Sequence, residues 1–329
     1  MSTLNDNKLA DEAKAFDDQI LTRVANGHVP DLRFCTPCDW FYNNPWRRPC
    51  YVELDFGEQF RLIRDAIDQH APYGAAQPKV LEVGCGPGYL SLELARSGCD
   101  VTGLDLSPHS IEVARRFAEQ DPHRSDRAPL QYVIGDFFSH ADLENAHFDA
   151  VVFLGALHHF PDQQQTLRRA RQLLKPGGVV VVHEPVRDRV TRGNAVFAHL
   201  LRVLLSLKGG FFEHHAIPDS DQAREREFDK LFASMRYETE NGENMQSVND
   251  NEAGYADMKP VLDELFEQQA FAWRYAFFHE FIGGLRFDDA LNEKLAHYLR
   301  EVDRELCQLG VLSATEFFYV GRNSEVSAK

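Results

Sequence analysis

The sequence contains no run of 18 or more apolar residues, so we expect no membrane-spanning helix. Residues 1–11 are polar and show no apolar signal region, which favours a cytoplasmic location. Only six of the 329 residues are cysteines, and their spacing is not that of a disulfide framework. Positive charge is scarce too, with 35 Lys and Arg against 51 Asp and Glu. The net charge of −16 repels phosphate backbones and anionic lipids, so we expect neither nucleic acid nor membrane as a partner.

Apolar residues make up 43% of the sequence and include 24 Phe and 10 Tyr, enough for a sizeable core. From residue 79 onward, short apolar segments alternate with helical ones. Strands buried on both faces of a parallel sheet have this pattern, because helices cover both faces. The predicted strands are 80–83, 101–105, 130–135, 150–154 and 179–183, and the predicted helices between them are 90–97, 108–119 and 163–174.

The alternation is interrupted after the fifth strand by an apolar helix at 195–207 and a highly charged stretch at 219–252. It returns with a strand predicted at 271–281, a helix at 288–307 and a closing strand at 316–320. We therefore divide the chain into four parts. They are an N-terminal helical and aromatic cap (1–76), a core (77–190), a helical insertion (191–265), and the last strands and helix that complete the sheet (266–329).

A glycine-rich turn follows the first predicted strand and opens a helix. Gly84, Gly86 and Gly88 let the backbone turn sharply and approach a ligand closely. Asp105 ends the next strand, 21 residues beyond Gly84, where an acid can accept hydrogen bonds from both ribose hydroxyls. A dinucleotide fingerprint needs a third glycine where this chain has Tyr89. The pattern therefore predicts a nucleoside site of another kind at the carboxyl ends of the strands.

With Glu82 two residues ahead of Gly84, the turn resembles the acidic-x-Gly-x-Gly-x-Gly motif of class I S-adenosylmethionine-dependent methyltransferases. Segments 104–107, 134–137, 148–152 and 173–178 resemble further motifs of that family, in the same order and spacing. The resemblance is close over residues 78–184. It implies a doubly wound, mostly parallel, seven-stranded Rossmann-like sheet. It also implies S-adenosylmethionine as the cofactor and S-adenosylhomocysteine as the product.

The resemblance also implies which residues contact the cofactor. Glu82 would orient the ammonium group, and Asp105 would hold the ribose. Asp136 would meet the adenine amino group, and Leu154 and Gly155 would lie near the sulfonium. Taken singly, Asp136 could equally be an ordinary turn acid, so the ordered set carries the prediction. The expected cofactor-binding residues are Glu82, Gly84, Cys85, Gly86, Gly88, Asp105, Leu106, Asp136, Phe137, Leu154 and Gly155.

A histidine pair, His158 and His159, directly follows the fourth predicted strand, and the fifth ends in His183-Glu184. In the family these strands are neighbours, so His159 and Glu184 could face one crevice. A hydroxyl acceptor is a weak nucleophile until a base takes its proton, and a carboxylate can orient a histidine for that task. The arrangement resembles sugar and natural-product O-methyltransferases. The alternative is that one histidine only caps the helix that begins near Pro161.

We therefore expect methyl transfer by in-line displacement to a small-molecule acceptor, with His158 or His159 as general base and Glu184 as its partner. The cap and the insertion would build the acceptor pocket and a lid over it. A nitrogen or carbon acceptor stays open. Two other classes also remain: non-methyl chemistry such as cyclisation, and a non-catalytic cofactor-binding or scaffold protein.

Three further features have a structural and a functional interpretation. Cys35, Cys38, Cys50 and His28 could bind zinc, but only one tight cysteine pair is present, so we expect no metal. The N-terminal cap also contains an aromatic cluster of Trp40, Phe41, Tyr42 and Trp46. This cluster could form a lid over the site or a hydrophobic plug. The helix at 195–207 could roof the pocket, form a homodimer interface or lie on a membrane.

Overall fold

A computed structural model describes residues 2–34, 49–72, 74, 76–123, 128–140, 143, 147–247 and 249–324. A seven-stranded sheet lies at the centre, in the order β3-β2-β1-β4-β5-β7-β6. Strands β1 to β5 pair in parallel, and β7 is antiparallel to both β5 and β6. The predicted doubly wound, mostly parallel sheet is therefore confirmed. The strands are β1 (Lys79–Val83), β2 (Asp100–Asp105), β3 (Leu130–Ile134), β4 (Phe148–Leu154), β5 (Leu174–Pro185), β6 (Glu267–Arg274) and β7 (Glu316–Arg322).

Ten α-helices are described, and a five-residue π-helix (Glu53–Gly57) joins the second to the third. Within the described ranges, no helix is long and apolar enough to cross a membrane. The helices are α1 (Ser2–Ala25), α2 (Pro49–Val52), α3 (Glu58–His70), α4 (Tyr89–Arg96), α5 (Pro108–Glu119), α6 (Gln163–Leu173), α7 (Arg192–Ser206), α8 (Asp221–Met235), α9 (Tyr255–Leu265) and α10 (Asp289–Gln308).

The sheet is buried on both faces, as the apolar runs predict. Val179 to Val182 of β5 have no exposed surface, and each such burial contributes roughly 1.5–3 kcal/mol. Successive residues point to opposite faces, so Val180 and Val182 pack in one core cluster, whereas Val179 and Val181 pack in the other. The second cluster includes Ile63 and Ile67 of α3, which closes that face of the sheet.

Two predicted boundaries differ from the structure. The strand predicted at 271–281 spans Glu267–Arg274 instead. The chain leaves the sheet after Arg274 because the next backbone N–H groups, from Ala276 to Phe278, donate to the buried Asp303 carboxylate of α10. Strand β5 begins at Leu174, before the predicted residue 179, because Leu174 already pairs with Phe148 of β4.

Helix α7, the first helix of the insertion, packs against the last part of the chain. A capping box starts α7, in which the Thr191 side chain accepts from the Asn194 backbone N–H and the Asn194 side chain accepts in return. The Asn194 amide also donates to the carbonyls of Ala276 and Ser313. Ala195, Ala198 and Leu205 of α7 join Phe277 and Phe281 in a separate hydrophobic cluster. Helix α7 therefore packs against the C-terminal segment and not over the carboxyl ends of β1 and β4.

Candidate cofactor and acceptor site

A cavity of about 790 Å³ opens where β1, β2 and β4 end. Its floor includes Gly84 after β1, Asp105 at the end of β2 and Gly155 after β4. Ligands of open parallel sheets bind at this edge of the strands. The sequence places its glycine-rich turn and Asp105 at the same edge. The cavity is therefore the candidate nucleoside site.

The glycine-rich turn has a backbone that favours glycine at three positions. Gly84, Gly86 and Gly88 have φ angles of +71°, +50° and +78°, in the left-handed region. A Cβ atom on Gly84 would lie 2.6 Å from the Cβ of Ala156, so a side chain is also excluded by contact. The N–H groups of Gly84 and Cys85 donate to the Leu104 carbonyl at 2.8 and 3.0 Å, which ties the turn to β2.

Asp105 is held at the floor of the cavity by the backbone. Its carboxylate accepts hydrogen bonds from the N–H groups of Gly86 at 2.7 Å and Ser107 at 2.8 Å. Burial raises the pKa of Asp105 from its usual value. A carboxylate has about four acceptor positions, so two such bonds leave capacity for the two hydroxyls of a ribose.

The other end of the cavity is aromatic. Asp136 and Phe137 follow β3 and line the wall together with Phe138 and Phe160. The ring centroids of Phe137 and Phe160 lie 6.0 Å apart in an edge-on contact. Such a wall offers apolar surface to a flat ring, and Asp136 offers an acceptor beside it. This pairing is suited to an adenine.

The structure brings seven of the eleven expected cofactor residues to the cavity wall and leaves four behind it. Glu82 is one of the four: it is 3% exposed, and its carboxyl accepts a hydrogen bond from Ser91. Burial raises the pKa of Glu82 to about 8, so this carboxyl is mostly neutral at pH 7. The residues on the wall are Gly84, Gly86, Asp105, Leu106, Asp136, Phe137 and Gly155; those behind it are Glu82, Cys85, Gly88 and Leu154.

Helix α1 covers the cavity. Phe16 and Ile20 are four residues apart and so lie on one face of this helix, and both line the wall. The Asp17 carboxylate accepts from the Ser107 hydroxyl at 2.5 Å and from the His109 N–H at 3.0 Å. Asp17 therefore attaches α1 to the N-terminus of α5, directly after the residue expected to hold the ribose.

His158 lies behind the cavity wall and is paired on both sides. Its Nδ1 lies 2.7 Å from Glu184 Oε2, and its Nε2 lies 3.6 Å from Asp250 Oδ1. Burial lowers the pKa of His158, but hydrogen bonds and charge from Asp250 and Glu184 outweigh burial and raise it above its ordinary value. Glu184 also accepts from the N–H groups of Ala156 and Leu157, both at 2.8 Å. Glu184 thus holds the turn after β4 as well as His158.

His159 faces the cavity, and its neighbouring carboxylate is Glu12 of α1. His159 Nδ1 lies 3.0 Å from Glu12 Oε1, although the two groups are not aligned for a full hydrogen bond. Burial and the adjacent His158 lower the pKa of His159. The predicted pair of His159 with Glu184 is therefore not formed, because Glu184 is already bound to His158 and the turn. Sequence reasoning missed Glu12 and Asp250, since nothing in the local pattern links either residue to the histidines.

Ligand-type atoms of His158, His159 and Asp250 lie within 4.8 Å of one another, a spacing at which a cation could be held. Both ring nitrogens of His158 already face a carboxylate, Glu184 at Nδ1 and Asp250 at Nε2. Burial lowers the pKa of His158, but these two carboxylates raise it overall, which favours the imidazolium form over a metal ligand.

Several predicted features lie outside the described residues. They include the cysteine pair Cys35 and Cys38 and the side chain of Cys50, so the expectation that these residues bind no metal stays a prediction. The aromatic lid or plug likewise stays a prediction, because it also lies outside the described ranges; its members are Trp40, Phe41, Tyr42 and Trp46.

Comparisons with known proteins agree with this geometry. A methyltransferase domain family matches residues 56–252. A ubiquinone biosynthesis O-methyltransferase of Photorhabdus laumondii is 42% identical over 102 residues, which are 31% of this chain and 40% of that protein. An enzyme of the same description from Yersinia pestis is 39% identical over 107 residues, 32% of this chain and 42% of the relative. The matched stretch thus spans about two fifths of the length of these curated relatives.

Solved structures supply the fold comparison. The crystal structure of the [4+2]-cyclase SpnF superposes with a TM-score of 0.51 and covers 96% of this chain and 95% of its own. At 16% sequence identity, this likeness supports the fold alone. The domain match, by contrast, spans more than half of the chain and includes the glycine-rich turn, Asp105 and the histidine pair. The chain belongs to the class I S-adenosylmethionine-dependent methyltransferase family.

Proposed function

We propose that this protein transfers a methyl group from S-adenosylmethionine to a hydroxyl group of a small-molecule acceptor. One observation carries the proposal: His159 lies on the wall of the same cavity as Asp105 and Gly155. Among the described residues, it is the one histidine on that wall. The relatives described as O-methyltransferases of ubiquinone biosynthesis support a hydroxyl as the acceptor.

The described residues fit the cofactor. At Gly86, on the cavity wall, an added Cβ would meet no protein atom within 4 Å, so the bare backbone is open to close approach of a ligand. Asp105 has acceptor capacity for the ribose, and the aromatic wall at Phe137 suits the adenine. When bound, S-adenosylmethionine supplies a methyl group on a positively charged sulfur, which leaves as a neutral thioether. The protein therefore needs to align the acceptor and remove its proton.

The two histidines are not equally suited to act as the general base. Both ring nitrogens of His158 already face a carboxylate, Glu184 at Nδ1 and Asp250 at Nε2, so neither nitrogen faces the cavity as a free acceptor for a hydroxyl proton. His159, with its lowered pKa, is neutral at pH 7 and can accept the proton of a hydroxyl. We therefore assign His159 as the general base and His158 with Glu184 as the support of the turn that carries it.

The test is product formation by the purified protein with a library of hydroxylated acceptors. We expect S-adenosylhomocysteine to appear together with a methyl ether, and His159→Ala to suppress both. His297→Ala, an exposed histidine on α10, is the matched control and should retain the wild-type rate. Chelation by EDTA should leave the rate unchanged. Methylation at nitrogen or carbon only, or cofactor binding with no product from any acceptor, would contradict the proposal.

A further inference from the structure

Glu12 is a buried carboxylate on the helix that covers the cavity. We propose that Glu12 is a positioning residue for His159, so that the N-terminal helix completes the acid–base site only when it lies over the cofactor. This inference rests on the role proposed above for His159. It assigns a function to a residue outside the family's sequence motifs and outside the matched range 56–252.

The Glu12 side chain is held independently of His159. It is 3% exposed, and its two oxygens accept from the Ser247 hydroxyl at 2.8 Å and the Asn249 N–H at 3.0 Å. These bonds fix the carboxylate with Oε1 at 3.0 Å from His159 Nδ1. A carboxylate beside Nδ1 favours the proton on that nitrogen, which leaves Nε2 as the acceptor. The Phe16 ring packs edge-on against the His159 ring, at 5.4 Å between centroids, and restricts its rotation.

The helix that carries Glu12 also covers the cofactor cavity. Phe16 and Ile20 form part of the cavity wall, and Asp17 attaches the helix beside the ribose position. The Gln19 side chain adds a hydrogen bond of 2.9 Å to the Gln246 carbonyl. Exchange of cofactor through this face requires α1 to move away, and that movement separates Glu12 from His159. Closure thus encloses the cofactor and aligns the base in one step.

Three titratable groups face His159 from the elements around it. Glu12 on α1 and Asp250 on the loop before α9 raise its pKa, whereas His158 on the same turn lowers it. Glu12 itself is ionised: burial raises its pKa, but contacts with His159, Ser247 and Asn249 outweigh burial and lower it. Removing the Glu12 charge therefore lowers the pKa of His159 further. A base is active when unprotonated, so the acid limb of the pH profile should move to lower pH.

The experiment compares Glu12→Gln with Asp17→Asn in the full chain. Both variants weaken the attachment of α1, but only Glu12 touches His159. For Glu12→Gln we expect kcat to fall by about tenfold or more and the acid limb of kcat to move to lower pH. For Asp17→Asn we expect a higher KM for S-adenosylmethionine and an acid limb in its wild-type position. Thermal unfolding and calorimetric binding of S-adenosylhomocysteine would show that both variants remain folded.

A double-mutant cycle separates the possible failures. If Glu12 acts through His159, adding Glu12→Gln to His159→Ala should cause little further loss in kcat. An unmoved acid limb in Glu12→Gln, with a KM effect like that of Asp17→Asn, would make Glu12 only an attachment point and overturn the inference. If His159→Ala keeps the wild-type rate and pH profile, the proposed base fails, and the role of Glu12 fails with it.

Discussion

Helices α1 and α7 both lie outside the sheet, in the two segments expected to enclose the pocket, but of these two helices only α1 lines the cavity. The polar helix α1 covers the cofactor cavity and is attached through Glu12 and Asp17. The apolar helix α7, considered as a roof for the pocket, contributes no residue to the cavity wall. Polar contacts exchange readily with water, so they suit the opening of α1 proposed above. Helix α7 instead packs its apolar residues into a buried cluster.

Helix α7 nevertheless exposes an apolar stripe on the side away from its core. Leu200, Leu204 and Leu207 are 54%, 52% and 57% exposed, and Val196 is 37% exposed. Exposed apolar patches on a charged chain mark interaction surfaces. The acidic Glu225 and Asp229 surround Arg192 at one end, and Lys208 follows the other end. Antiparallel pairing of two copies would bring opposite charges together, so the homodimer of the sequence analysis stays a prediction for this surface.

Among the tests of the contrast between α1 and α7, the largest effect is expected at His159, which lies beneath α1. Replacement of His159 by Ala should lower kcat by about 10²–10⁴-fold, because proton removal from the acceptor loses its base. The acid limb of the pH profile should disappear with it, since burial and His158 set the pKa of this group. Steady-state kinetics across pH 5–9 measure both. A rate within twofold of the wild type would show that the covered wall carries no acid–base chemistry.

The next effect concerns the floor of the cavity. Asp105→Ala removes an acceptor held by two backbone N–H groups, and hydrogen bonds to charged groups contribute about 1.5–3 kcal/mol each. The dissociation constant for S-adenosylhomocysteine should therefore rise by about a hundredfold. Isothermal titration calorimetry gives the value. Asp100→Ala, at the other end of the same strand, is the control and should bind normally.

A smaller effect is expected where α1 is attached. Asp17→Asn weakens the contact with Ser107 and His109, so the covered state is less populated. Because the contact is charge-assisted and partly buried, we expect about a tenfold increase in KM for S-adenosylmethionine with kcat little changed. Steady-state kinetics with varied cofactor test this. An unaltered KM would mean that α1 does not control access to the cavity.

The smallest effect on activity is expected on α7. Leu200→Glu combined with Leu204→Glu places charge on the exposed stripe, away from the cavity, so kcat/KM should stay within about twofold of the wild type. The mass in solution should fall from that of two chains to the 37.5 kDa of one. Multi-angle light scattering measures it, with Leu309→Glu, an equally exposed apolar residue after α10, as control. A large loss of activity in the folded variant would make α7 part of the site.

The cofactor side of the site was more predictable from sequence than the acceptor side. Gly84, Gly86 and Asp105 are close in sequence to the strands that position them, so their spacing indicates their place. Glu184 was expected near the histidines but was paired with the wrong one. The turn after β4 directs the His158 ring and three consecutive backbone N–H groups toward Glu184, while His159 points into the cavity. A single residue step along this turn decides which ring meets the carboxylate.

The sequence by itself determined the sheet, its parallel strands and the place of the candidate nucleoside site at their carboxyl ends, because strand period, glycine turns and acidic strand ends are local properties. Tertiary structure alone decided which carboxylate faces which histidine. Glu12 and Asp250 reach the pair from distant parts of the chain. No local pattern encodes such a contact, since it depends on how α1 and the loop at 247–252 fold over the finished sheet. The same dependence on packing decided that α1, and not α7, covers the cavity.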